Sequence, residues 1–132
     1  MGRFVNPDNT TFKAALNTKI YVDKTELIEF TNSLIGTTEN FICNSRPRRF
    51  GKSYTANMLS AYYSKGCDSR ELFCGLAVEK SSAYLEYLNK FDVIHFDLQW
   101  FFSKEHIDRT VDLINNTIVD ELKKIYEDVL SA

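Results

Sequence analysis

The sequence predicts an α/β fold in which a short parallel sheet is flanked by helices. Two brief apolar runs, Phe41-Ile42-Cys43 and Val93-Ile94-His95-Phe96-Asp97-Leu98, suit strands buried on both faces and are too short for helices. Segments of helical periodicity precede, separate and follow them, so the order is helix, strand, helix, strand, helix. Strands separated in this way pair in parallel through right-handed crossovers. The size agrees: 132 residues, 44% apolar, are enough to bury roughly 65–70% of the unfolded surface around one core.

The elements follow in order. Asn6-Pro7-Asp8-Asn9 and scattered apolar residues from Phe4 to Lys19 predict an irregular arm with one helical turn near Phe12 to Leu16. Ile20-Tyr21-Val22 is β-prone. Asp23, with Glu26 three residues on, forms a capping box, so a helix is expected from about Lys24 to Leu34. It buries Leu27, Ile28, Thr31, Leu34 and Ile35 and stops at Gly36. After the strand Phe41 to Cys43 a second helix begins near Lys52. Thr55, Met58, Leu59, Tyr62 and Tyr63 line its inner face at i, i+3, i+4, i+7 and i+8, and Gly66 stops it. Asp68 caps a short helix through Leu72 and Phe73, and Ser81 or Ser82 another through Tyr84, Leu85 and Leu88. Ser103 opens the last element. Ile107, Val111, Ile114, Ile118, Leu122, Ile125 and Val129 recur by threes and fours, which predicts one long amphipathic helix over 104–130. Two or three strands are few for such a sheet, and none follows the last helix. The chain is therefore expected to be the N-terminal piece of a longer protein, its sheet unfinished.

Charge and cysteine usage narrow the function. Sixteen Lys and Arg against eighteen Asp and Glu give a net charge of -2, which argues against a surface built wholly for nucleic acid. Any anion site must be local. No apolar run approaches the ~18 residues of a membrane span and no signal peptide opens the chain, so a cytoplasmic location and no membrane partner are expected. The three cysteines, Cys43, Cys67 and Cys74, contain no CxxC and read as reduced, mostly buried thiols.

One local site stands out. The strand Phe41 to Cys43, the turn Arg46 to Gly51 and the helix from Lys52 set Gly51-Lys52-Ser53 where a phosphate-binding loop has its GK[ST]. Successive backbone N–H groups and the positive end of a helix converge there on an anion. Gly51 allows close approach, Lys52 reaches the β- and γ-phosphates, and the Ser53 hydroxyl holds Mg2+. The candidate nucleotide-binding set is Arg46, Pro47, Arg48, Arg49, Phe50, Gly51, Lys52, Ser53 and Tyr54, with ATP and Mg2+ as ligands. Arg46 occupies the place of the first Gly in G-x-x-x-x-G-K-[ST], at a cost on the order of 1 kcal/mol if the backbone is unchanged. Arg46, Arg48 and Arg49 admit three readings: phosphate clamps, a nucleic-acid contact, or a solvated face.

Four stretches extend the match. Tyr21-Val22-Asp23-Lys24-Thr25, Ser45-Arg46-Pro47-Arg48-Arg49-Phe50-Gly51-Lys52-Ser53, Glu71-Leu72-Phe73-Cys74-Gly75-Leu76 and Asp92-Val93-Ile94-His95-Phe96-Asp97 resemble, in this order, the signatures YVDKT, RPRRFGKS, LFxGL and a PVIxxDF-like strand of the bacterial AAA-ATPase-like family. The resemblance implies an incomplete P-loop NTPase-like three-layer sandwich. It makes residues 1–132 the N-terminal part of an AAA-ATPase-like P-loop domain, with Arg46 normal for the loop and a nuclease-like domain often following. It also places the Walker B strand further downstream than Asp97. Asp97 is thus either a structural acid at a sheet end or a weaker second candidate for Mg2+.

The remaining features stay open between two readings each. Asp23-Lys24-Thr25 is a helix cap or lies beside the nucleotide. His95 is a hydrogen-bonded core residue or a base, and His106 is exposed. Trp100-Phe101-Phe102 closes the core or stacks a base. No catalytic residue is identifiable, because hydrolysis needs a water-positioning group and a second Mg2+ anchor, so the chain alone is expected to be inactive. Nucleic acid enters only through the longer protein, and the apolar stripe at 111–130 predicts self-association. The rival reading is a noncatalytic structural or protein-interaction module with a vestigial loop.

Overall fold

A computed structural model of the chain describes residues 3–44, 52–102 and 107–127. Among these residues the chain forms α1 (Thr10–Leu16), α2 (Glu26–Leu34), α3 (Lys52–Tyr63), α4 (Arg70–Phe73), a 3-10 turn (Ala77–Lys80), α5 (Tyr84–Tyr87), α6 (Leu98–Phe102) and α7 (Ile107–Ile125).

Helix α3 is the axis of the fold because its apolar residues recur with the helical period. Met58, Ala61 and Tyr62 enter a core completed by Phe12 of α1, Ile28 of α2, Phe73 of α4, Val78, Tyr84 and Leu88. Each large apolar side chain buried this way contributes roughly 1.5–3 kcal/mol. Phe12 stacks on Phe73 at 4.8 Å between centroids, and Tyr62 meets Phe73 edge-on at 5.5 Å. Of the expected inner face of α3, Thr55, Met58 and Tyr62 are buried and Leu59 and Tyr63 half-buried, while Ser60 and Ala61, outside that face, are buried too.

Polar bonds tie α2 to α3. The Tyr62 hydroxyl donates to the Tyr84 carbonyl at 2.7 Å and accepts from Asn32 Nδ2 at 3.1 Å, while the Tyr63 hydroxyl donates to Asn32 Oδ1 at 2.6 Å. Burial pushes the Tyr63 phenol up to about 12, so it serves as a neutral donor. The C-terminal end of α3 is capped from afar by Asn89, whose Nδ2 donates to the carbonyls of Ala61 and Ser64 at 3.0 and 2.7 Å. Gly66 follows, and there a Cβ would lie 2.2 Å from the Asn6 carbonyl oxygen. Only glycine permits that approach.

The expected parallel sheet does not form. Among the described residues no strand ladder exists, only an antiparallel bridge between Val5 and Ile94 and a parallel one between Ser64 and Phe91. Residues 41–44 are irregular and exposed, with Phe41 95% exposed, and residues 93–97 give way at Leu98 to α6. The molecule is thus helical rather than an α/β sandwich. The physical reason is that an apolar run signals burial, whereas a strand is held by a partner's N–H and C=O groups. At Val93 the arm supplies those groups instead. Asn6 donates its N–H to the Val93 carbonyl and accepts the Val93 N–H on Oδ1, both at 2.7 Å, and His95 N–H donates to the Phe4 carbonyl at 2.8 Å. Asn6 is fully buried with φ +48, a left-handed backbone that Asn tolerates better than most residues.

Three further expectations change. Asp23 does not cap α2: its Oδ1 accepts Thr25 N–H and Oγ1 at 2.9 and 2.6 Å, its Oδ2 accepts Ala77 N–H at 2.8 Å, and the N-cap is Thr25. Burial alone would raise this carboxyl, but those three donors hold it below its ordinary value. Cys43 and Cys74 are exposed and Cys67 half-buried, all free, so the thiols are not core. Helix α7 turns Thr110 and Glu121 inward and leaves Val111 65% exposed. Glu121 accepts the N–H groups of Arg3, Phe4 and Val5 at 3.0, 2.9 and 2.8 Å, clamping the arm on α7. Ser103, His106, Val129 and Leu130 lie outside the described residues. Among the described residues no helix is long and apolar enough to cross a membrane.

Candidate functional site

The arm, α3 and residues 95–100 line an open cavity of about 1000 Å³, at the upper end for small-ligand sites. Ser53, in the first turn of α3, lines it together with Asp97, so the two candidate Mg2+ ligands share one wall system. Arg46, Pro47, Arg48, Arg49, Phe50 and Gly51 lie outside the described residues, as does the Lys52 side chain, although Lys52 opens α3. Tyr54 is exposed and does not line the cavity. Neither do Asp23, Lys24 and Thr25.

The small, polar face of α3 builds one wall of the cavity. Ser53, Ala56, Asn57 and Ser60 sit at i, i+3, i+4 and i+7 and all line it. His95, Phe96, Asp97 and Trp100 line it as well. Asp97 does not stand at a sheet end: its Oδ1 accepts the Gln99 N–H at 2.9 Å at the start of α6. The Arg3 guanidinium lies 4.4 Å from the Trp100 ring centroid and 5.1 Å from that of Phe4, a cation over two aromatic faces. Of the cluster expected to close the core, Phe101 is fully buried, Trp100 is half-buried and Phe102 is 48% exposed. His95 is half-buried on the cavity, its backbone paired with the arm.

One lining residue was not foreseen. Ser60 is 6% exposed, and its Oγ is buried without a hydrogen-bond partner among the described residues. A serine inside a helix usually bonds back to the carbonyl one turn earlier. Ser60 does not, and an unmade bond at a buried hydroxyl costs about 1–3 kcal/mol. The signal in the sequence was the small-polar stripe itself, which reads as an ordinary solvated face until the arm is known to cover it.

Among the described residues no three His, Cys, Asp or Glu side chains converge as a metal cage. Mg2+ at nucleotides needs none, since one or two protein oxygens are completed by phosphates and water. Ser53 and Asp97 fit that demand.

The family described as Predicted AAA-ATPase matches residues 11–131, and the chain belongs to this AAA-ATPase-like family. No curated protein and no solved structure matches it.

Proposed function

We propose that the chain binds a nucleoside triphosphate, ATP, with Mg2+ through Arg46 to Tyr54, as the N-terminal part of a larger P-loop ATPase that also carries the Walker B strand and, in some arrangements, a nuclease-like domain. The observation that supports this most directly is the meeting of Ser53, on the first turn of the helix that Gly51-Lys52-Ser53 begins, with Asp97 on one cavity. Family membership points the same way. Ser53 Oγ and Asp97 would share the cation, which supplies charge neutralisation at the phosphates.

Calorimetric titration of MgATP into the wild-type chain and Lys52→Ala tests the reading. Losing the lysine's charged bond should weaken binding by about 1.5–3 kcal/mol while the melting temperature stays put. Equal affinity in both proteins would sink the assignment.

A further inference from the structure

The cavity extends well past the groups a triphosphate and its cation would use. Ser60 stands seven residues after Ser53 on the same face of α3, about 10 Å deeper along the helix at ~1.5 Å per residue. That is the distance from the phosphates of a nucleotide to its base. Ser60 and Asn57 line the cavity together with Phe96, which is 37% exposed, and Trp100. The one Arg or Lys among the described lining residues, Arg3, is laid over Trp100. Neutral donors and acceptors beside aromatic carbon suit a flat uncharged heterocycle with a hydrogen-bonding edge and offer little to a second phosphate. Ser60 is nine-tenths buried and its Oγ has no hydrogen-bond partner among the described residues, so a ligand atom there gains a bond that those residues leave unmade.

We propose that Ser60 and Asn57 receive the hydrogen-bonding edge of a nucleotide base against Phe96, while the phosphates of the same nucleotide lie at the first turn of α3. This deepens the nucleotide reading and rests on it.

Trp100 is the only tryptophan and lines the cavity, so its fluorescence reports occupancy. The chain is titrated with ATP, with adenosine and with inorganic triphosphate, as wild type, Ser60→Ala and Ala56→Leu, with circular dichroism confirming that both variants are folded. Ser60→Ala should weaken ATP and adenosine ~5–10-fold, one lost hydrogen bond, and leave triphosphate within about twofold. Ala56→Leu, which fills the cavity between Ser53 and Ser60, should abolish adenosine binding and spare triphosphate. ATP and adenosine binding both variants as they bind wild type overturns the base site and leaves Ser60 as the holder of a buried water. Triphosphate bound without adenosine overturns the base site alone. Adenosine bound in a Ser60-dependent way without triphosphate keeps the base site and removes the phosphate reading.

Discussion

At the scale of single residues, the joints of this molecule are polar side chains standing in for backbone. Asn6 occupies the place of a neighbouring strand at Val93, and its Nδ2 donates to Asp92 Oδ1 at 2.9 Å. Asp92 also accepts Lys65 Nζ at 2.8 Å and the Tyr126 hydroxyl. The Lys65 ammonium, then Tyr126 and Asn6, hold the Asp92 carboxyl down to about 2 from 3.8. The sign follows from linkage: a carboxyl depressed in the folded state adds stability that is fully present above its unfolded value and is lost as pH falls through its folded value. The Asp92 side chain is more than half exposed, so the contribution is small, but its window, about pH 4 down to 2, is defined. Asp92→Asn should lower the melting temperature slightly at neutral pH and flatten its decline between pH 4 and 2. Parallel melting curves against pH for the two proteins would show that the cluster does not couple to folding.

At the scale of elements, α3 carries both core and cavity, so its ends matter most. Asn89 caps it with φ +55, accepts the Ser69 N–H at 2.9 Å and donates its own N–H to the Tyr62 carbonyl at 2.6 Å. Asn89→Ala loses the side-chain bonds and strains a left-handed backbone, whereas Asn89→Gly loses only the bonds. In urea denaturation alanine should therefore cost about 1 kcal/mol more than glycine. Equal costs would mean that the backbone relaxes out of the left-handed region. The inner face of α3 was legible because Thr55, Met58 and Tyr62 carry a local period. Phe41 to Cys43 and Val93 to Leu98 were misread because pairing is nonlocal: nothing in either run says that Asn6 and Phe4 will satisfy the second or that the first will stay at the surface. The site divides the same way. Ser53 is announced by its neighbours Gly51 and Lys52, whereas Ser60 acquires meaning only when the arm folds over α3.

At the scale of the whole molecule, α7 is the least covered long element. Its inner side carries Thr110, the half-buried Ile114, Ile118, Leu122 and Ile125, and Glu121, which clamps the arm, while Val111 and Val119 on the other side are 65% and 45% exposed. At 100° per residue these valines share a face with Asp108 and Asp112 near the start of the helix and Lys123 near its end, all three exposed. Two such faces crossed antiparallel about Asn115 bring Asp108 of each copy to Lys123 of the other and the valines together. The self-association expected from the apolar stripe thus gains an orientation, that of a symmetric dimer in which one patch meets itself. Burying the valines would supply the affinity, because exposed ion pairs are worth about 0–1 kcal/mol and mainly set the direction of the crossing. Light scattering at micromolar concentration should find a dimer that Lys123→Asp weakens several-fold, by about the worth of two such pairs, and that Asp108→Lys combined with Lys123→Asp restores. A wild-type monomer at that concentration would refute the dimer, and a double variant no better than the single one would refute the antiparallel crossing.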